Sequence, residues 1–460
     1  MTMSLKQFDL YRFERLMSKL MRSSAVAPMV HFIPNGGSIK LLASTDNAML
    51  TMHAPRDGFL DPFSMQWSDF KTIAVKKNND VDFDLEKNAI VVCCEGISQR
   101  FLTGKNENKT SLGQPAQTST FPKDRLLDAL TNAGRCVDKD SIKNAITGIC
   151  LRGSTSQIIS TTGCQLLVQD GYDFCESNDM VIPVSKIFTS KELKAIDDDE
   201  VSVGLTNGYV YFGIGSAEIY LKALDGVYPK VSQLLEPADG TTYLNLHPTD
   251  VQFILDRIEK LPGAKDSESP LYFHINKTIQ ARAYDVAHKT GIALELSHSR
   301  FTGEPVDVAV NRHFLKNALQ FGCWNMGIDP TGNKALIFKG DDKTFVCMPL
   351  TGTEPEAEKM DVITTSAQSV ASAVPKTTAT TPVPAPVKRR RRTVKRDAAR
   401  NTSAQPTGKM ALLVTAEQIR CDLRNSLIQV NSLIREVKSQ KQKDKLLHST
   451  MESLRKLSLA

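Results

Sequence analysis

The sequence predicts an α+β fold, rich in antiparallel strands, in three tandem domains of roughly 115–125 residues. Three observations lead there. A short extended lead-in to a helix occurs three times, as Met65-Gln66-Trp67-Ser68-Asp69-Phe70, Ile182-Pro183-Val184-Ser185-Lys186-Ile187 and Val310-Asn311-Arg312-His313-Phe314-Leu315, with second residues 117 and 128 positions apart. An alternating strand pair follows each: Val81–Leu85 with Ala89–Cys94, Glu200–Leu205 with Tyr209–Gly213, and a weaker pair from Trp324 with Ala335–Phe338. A second landmark, Ser44-Thr45-Asp46 against Ser160-Thr161-Thr162-Gly163, repeats at an offset of 116.

Each segment also opens on a helix-like stretch, at Phe13–Met21, Pro122–Ala133 and Pro248–Leu261. The resulting boundaries are 1–120, 121–237 and 238–352. From Thr353 to about Lys409 the composition shifts to Thr, Ala, Ser, Pro and Val, which predicts a disordered linker over 353–412. It carries the basic run Lys388, Arg389, Arg390, Arg391 and Arg392. Over 413–460, Thr415 can cap an amphipathic helix with apolar residues at Ile419, Leu423, Leu427, Val430, Ile434 and Val437. One helix pairing with a partner and a helical hairpin fit that pattern equally.

Charge is distributed unevenly. Residues 353–460 hold 20 Lys+Arg and 10 Asp+Glu, leaving 37 basic and 41 acidic residues for 1–352. The body is therefore slightly acidic and the tail strongly basic, which argues against indiscriminate coating of nucleic acid by the body but permits basic residues confined to one surface. The first twenty residues are interrupted by Lys6, Asp9, Arg12, Glu14, Arg15 and Lys19, and no apolar run reaches membrane-spanning length. A cytoplasmic chain without membrane contact is expected. The nine cysteines show no ligand spacing and read as reduced core residues.

No catalytic constellation emerges. Gly213-Ile214-Gly215 lacks the third glycine of a nucleotide loop, and there is no Walker lysine, no HExxH and no carboxylate pair at hydrolytic spacing. Neither an enzyme nor a cofactor or metal site is expected.

Several ordered motifs resemble the β sliding clamp subunit of bacterial DNA polymerase III. In the second segment they are Leu126–Ala133, Thr147–Leu151, Ile159–Leu167, Met180–Pro183 and, most tellingly, Ala223-Leu224-Asp225-Gly226-Val227-Tyr228-Pro229. In the third they are Phe301-Thr302-Gly303-Glu304-Pro305, the stretch Asn311–Leu319, and the terminal Val346-Cys347-Met348-Pro349-Leu350. The resemblance spans about residues 5–352, is weakest in the first segment and does not extend to the tail.

That resemblance implies a DNA-clamp fold with outer antiparallel sheets and inner helices, closed head to tail into a homodimeric ring. It implies a nucleoid-associated processivity factor that encircles double-stranded DNA without reading sequence and tethers DNA polymerase, the clamp loader and repair proteins. By correspondence, a pocket for a short Gln- and Leu-containing peptide would be walled by Ile146, Thr161, Gly163, Leu166, Pro229, Leu234, Asn311, Phe314, Val346, Met348, Pro349 and Leu350. DNA phosphates would be met by Arg22, Arg125, Arg135, Lys139 and Lys143, and the dimer interface would include Phe101 and Leu261. Apart from the resemblance, the clustered charge of the basic run Lys388–Arg392 could hold phosphate backbone without reading sequence. A core role for Ile146, Leu234, Phe101 or Leu261 and a solvated role for the cations stay open at this point.

Two departures matter. Cys164-Gln165 and Gln233 stand where the family often carries His-Arg and a rim arginine, and the chain continues more than 100 residues past the family's last strand. The altered rim, with the weaker first segment, favours as an alternative a clamp-fold paralogue or mobile-element-encoded scaffold acting mainly through its basic, helical tail.

Overall fold

One local plan, a short strand running directly into a helix and then a three-stranded meander, occurs six times among the described residues. The computed structural model describes residues 2–21, 27–103, 112–138, 144–264 and 268–365. The first unit is β1 (Thr2–Lys6), α1 (Gln7–Leu20), β2 (Met29–Asn35), β3 (Ser38–Ser44) and β4 (Ala48–Pro55). After the two-residue β5 (Asp57–Gly58), the second is β6 (Phe63–Gln66), α2 (Trp67–Ile73), β7 (Asp80–Leu85), β8 (Ala89–Cys94) and β9 (Ile97–Leu102). The third is β10 (Ser119–Pro122), α3 (Lys123–Ala133), β11 (Gly148–Arg152), β12 (Gln157–Thr161) and β13 (Gln165–Asp170). In the fourth, β14 (Met180–Pro183) leads into a 3-10 turn at Lys186–Thr189 and the short α4 (Lys191–Lys194), then β15 (Glu200–Thr206), β16 (Tyr209–Ile214) and β17 (Ala217–Lys222). The fifth is β18 (Thr242–Asn245), α5 (Pro248–Arg257), β19 (Pro270–Ile275), β20 (Ile279–Asp285) and β21 (Thr290–Glu295). After β22 (Arg300–Thr302), the sixth is β23 (Val306–Asn311), α6 (Arg312–Gln320), β24 (Asn325–Ile328), β25 (Leu336–Lys339) and β26 (Lys343–Cys347), and β27 (Lys359–Thr364) follows.

Local chemistry explains the plan. In β7 the residues alternate, Val81 and Phe83 buried against Asp80, Asp82 and Asp84 exposed, the period of a strand with one face on a core. Helix starts are set by side chains: Asn311 accepts from the His313 N–H at 2.9 Å, Ser190 from the Leu193 N–H at 3.2 Å, and His247 caps α5 with Pro248 at its first position. The three lead-ins read from sequence are the ends of β6, β14 and β23, each passing into a helical turn.

Consecutive units are interlocked. The leading strand of each joins the meander of its neighbour: β1 pairs with β7, β6 with β2, β10 with β15, β14 with β11, β18 with β24 and β23 with β19. The resulting four-stranded sheets then meet third strand to third strand. β4 pairs antiparallel with β17, from Ala48↔Leu221 to Met52↔Ala217, giving an eight-stranded sheet. β13 pairs antiparallel with β26, from Gln165↔Cys347 to Gln169↔Lys343, giving a nine-stranded one. Two five-stranded sheets complete the architecture, β5-β1-β7-β8-β9 and β23-β19-β20-β21-β27.

The apolar interior follows the sheets. One buried cluster runs from Met3 to Leu221 and includes the aromatic group Phe13, Phe32, Phe63, Phe70 and Phe83, so the segment with the weakest sequence pattern is as fully packed as the rest. A second centres on α5, α6 and their sheets. A third, smaller cluster sits where β13 meets β26.

The stretch read as the start of a linker at residue 353 differs. Residues 359–364 form β27, in parallel register with β21 from Thr290↔Lys359 to Glu295↔Thr364. The physical reason is local: Met360, Val362, Ile363 and Thr364 suit a strand, and the uncovered β21 edge offers the ladder. The remainder of the stretch read as a linker, the basic run and the stretch read as a C-terminal helix lie outside the described residues.

Candidate functional site

The β13–β26 pairing brings together two stretches of chain that are 174 to 182 residues apart. Leu166 stands opposite Val346, both nearly buried, and the Met348 N–H donates to the Cys164 carbonyl at 3.1 Å. The turn before β13 has a defined shape: the Thr161 hydroxyl donates to the Gln165 carbonyl at 2.7 Å and accepts from the Gly163 N–H at 3.0 Å. Gly163 has φ +85°, a backbone state that a side chain disfavours. Beneath lie Cys150, Ile159, Val181, Tyr228, Val231 and Ile337, while Met348 at 39 % exposure leaves its thioether on the surface.

Beside this junction is a cavity of about 370 Å³. Leu234, Ala335 and Ile337 give it an apolar floor, and Glu236, Lys334 and Lys339 stand around it as a mixed-charge rim. Ile337 links the two features, since it lines the cavity and packs in the junction cluster. Of the twelve wall residues inferred from sequence, Leu234, 52 % exposed, is the one that lines this cavity; Thr161, Gly163, Leu166, Val346 and Met348 gather on the adjoining junction.

The other wall residues sit around these. Pro229 follows the buried Tyr228, and its carbonyl lies 3.4 Å from the Arg152 guanidinium. That guanidinium forks onto Asp179 at 3.0 and 2.8 Å, and the carboxylate raises the arginine's already high pKa, so the cation is neutralised in place. Ile146 is half-buried in a 3-10 turn. Asn311 caps α6 and Phe314 packs on the core beneath it, while Asn317 of the same helix donates to the Gln165 side chain at 3.3 Å. Pro349 is buried, and the Leu350 N–H donates to the Ala309 carbonyl at 2.8 Å, turning the chain along β23. Sequence reasoning missed Ile337 and Ala335; the signal was the alternation of Ala335–Phe338, which turns those two residues to the face opposite Leu336 and Phe338.

The inferred cations are partly engaged. Arg125 on α3 stacks 4.8 Å from the Tyr172 ring centroid, donates to the Asp170 carbonyl at 3.2 Å and lies 3.7 Å from Asp342. Arg135, just past α3, donates to Gln320 at 2.7 Å and lies over Phe321, tying the ends of α3 and α6 together. Arg22, Lys139, Lys143, Lys388, Arg389, Arg390, Arg391 and Arg392 lie outside the described residues. Phe101 is half-buried on β9, packed against the first core. Leu261 is 5 % exposed within the α5–α6 core, and its carbonyl accepts from the buried Arg312 at 3.0 Å.

Among the described residues no group of three or more His, Cys, Asp or Glu is placed to hold a metal ion, and no helix is long and apolar enough to cross a membrane.

No protein-family model matches this sequence, and no curated protein matches it. Solved structures do. The DNA polymerase sliding clamp of Pseudomonas aeruginosa superimposes with a TM-score of 0.66 at 15 % identity, over 76 % of this chain and 100 % of that one. The Bacillus subtilis DNA polymerase sliding clamp gives 0.65 at 14 % identity, over 77 % and 100 %. The DNA polymerase III β subunit of Thermotoga maritima gives 0.63 at 14 % identity, over 76 % and 100 %. Six interlocked units joined edge to edge, and full-length superposition on these structures at such low identity, give this chain a multidomain α+β fold of the DNA polymerase III β sliding-clamp type.

Proposed function

We propose that this protein is a DNA sliding clamp: three domains per chain, two chains closing into a ring around duplex DNA, and a surface pocket that tethers a polymerase and other partners. The observation that carries the reading is the rule by which the sheets join. The third meander strands pair as β4 with β17 and β13 with β26, and the two left over are β9 and β21, at opposite ends of the series. Applied once more between copies, the same pairing joins β9 of one chain to β21 of the next, a head-to-tail contact that two copies can close. The reading needs no catalytic residue, since topological linkage and weak phosphate contact suffice. A cytoplasmic, nucleoid-associated location goes with it.

The tether is assigned to the β13–β26 junction and its cavity. An extended peptide could set a Leu and an aromatic side chain on Leu166, Val346, Met348 and the Leu234–Ile337 floor. Binding of a Gln-Leu-x-Leu-Phe-type peptide to the full chain tests this. Met348→Ala should weaken binding about tenfold, as expected for loss of one half-exposed apolar contact; equal binding by both proteins would remove the junction from the account.

The second reading, a clamp-fold paralogue or mobile-element scaffold working through its tail, is favoured by the exposed Cys164 and by Gln233 on the cavity wall, where the family often places cations. It predicts that the same peptide fails to bind while DNA retention persists.

A further inference from the structure

The β21 edge, which the proposed ring requires, is already filled. β27 pairs with it in parallel along six register positions, and its ends are pinned by side chains. Before the strand, Glu354 accepts from Tyr284 and lies 2.8 Å from His274 Nε2. After it, the Thr365 N–H and hydroxyl both donate to the Glu295 carbonyl, at 3.2 and 3.0 Å, and the hydroxyl lies close to the buried Asp250. Between the pins little is buried. Met360 is half-covered over Gly291, whereas Lys359, Asp361, Val362, Ile363 and Thr364 are exposed, Val362 at 53 % and Ile363 at 39 %. The Lys289–Glu358 ion pair at 2.9 Å is between two largely exposed groups and adds little. The strand is held by its ladder and its two ends.

The competing strand is uncovered. Among the described residues β9 has no neighbour on its outer side, and it exposes Ile97 at 65 % and Leu102 at 76 %. A bare edge with exposed apolar side chains is a surface for another strand. If β27 stayed in place and β9 of a second copy added outside it, the junction would gain one strand width, about 4.8 Å. At the two internal junctions the strands pair directly and the layer beneath meets across them: Arg15 of α1 lies 3.7 Å from Glu192 of α4, and Arg135 after α3 bonds Gln320 of α6. An inserted strand would separate α5 from α2 of the second copy by that width.

We propose that β27 is a displaceable edge strand: it caps β21 in the single chain and must leave for β9 of a second copy to dock there, so the C-terminal segment competes with ring closure. This rests on the ring reading above. It gives the chain beyond the last meander a role at the closing interface, since whatever draws residues 353–365 away from the body would favour the closed dimer.

The test uses the full chain and a Val362→Pro/Ile363→Pro variant. One of two adjacent strand residues must donate to the ladder, so this change removes β27 from β21 without touching either meander. In sedimentation velocity across a concentration series the variant should dimerise with a dissociation constant at least about tenfold lower than the unaltered chain. A Gln99→Pro/Arg100→Pro variant, which spoils β9, should lose the dimer. Hydrogen exchange gives a readout that needs no variant: the amides of 359–364 should exchange faster in the dimer than in the monomer, while those of β21 stay protected. An unchanged or raised dissociation constant in the β27 variant, or amides of 359–364 that become more protected on dimerisation, overturns the competition but leaves the ring standing. A dimer indifferent to the β9 change, or no dimer from any of the chains, overturns the ring and the competition together.

Discussion

Asp250 is fully buried in the first turn of α5, and its charge is held by what surrounds it. Burial alone would raise its pKa, but the Ser299 hydroxyl at 2.6 Å, the Thr365 hydroxyl, and the His298 ring and N–H at 3.2 and 3.1 Å outweigh burial and leave it below the usual 3.8. A depressed folded-state pKa means that the carboxylate's contribution to stability is present above the ordinary value and is lost as pH falls through the lower one. Acidification below about pH 4 should therefore loosen the 297–299 turn and the Thr365 end of β27 together. Asp250→Ala should cost about 1–3 kcal/mol, by orphaning those donors, in denaturant unfolding at pH 7, and should flatten the acid limb of the stability curve. A full acid limb in the variant would show that the carboxylate does not hold this corner. Arg312 is the second such residue. Only 4 % exposed, it donates to the carbonyls of Leu261, Pro262 and Pro270, closing the end of the α5 segment against β19. Arg312→Ala should destabilise by about 2–4 kcal/mol, because several buried carbonyls lose a charged donor; Arg312→Lys should recover only part of that, since an ammonium cannot span the fork. A variant as stable as the parent would contradict the role.

At the scale of elements, β26 joins a core to a sheet junction. Phe345 on β26 packs edge-on against Phe321 and Phe338, and its strand also carries the pairing to β13. Phe345→Ala should cost about 3–5 kcal/mol in denaturant unfolding and lower peptide binding at the junction in parallel; binding kept at full strength in the destabilised variant would separate the core from the site. These elements differ in how clearly the sequence shows them. The lead-ins at Gln66, Pro183 and Asn311 were legible because an extended run passes straight into a helical turn at each, with a side-chain cap at Asn311 and at Ser185, and the β7–β8 and β15–β16 pairs because β7 and β15 alternate and each is followed by a short apolar run. The pairing of third strands was not legible, since β17 with β4 and β13 with β26 join residues far apart whose local pattern names no partner. The engaged states of Arg125 and Arg135 were equally hidden: a helix sequence does not say that Tyr172 or Phe321 will arrive beside the cation. β27 was overlooked for a different reason. Its six residues sit inside a long Thr/Ala/Pro stretch, and composition averaged over that stretch conceals a short β-branched run.

At the largest scale, edge pairing among the described residues joins six local units into one body whose two unmatched third strands are β9 and β21, the latter covered by β27. Residues 348–358 connect β26, part of the proposed tether site, to β27 on the proposed closing edge. If the proposed ring touches DNA through phosphates alone, salt should weaken contact with linear duplex steeply, while a closed ring on circular DNA should resist salt. The most direct measurement is retention of the full chain, or of the Val362→Pro/Ile363→Pro variant, on closed circular duplex under a high-salt wash, before and after the DNA is cut once. The account predicts that protein stays on the circle and is released when the circle is linearised. Release from the intact circle at the same salt, or retention that is indifferent to the cut, would contradict the claim that this chain encircles DNA.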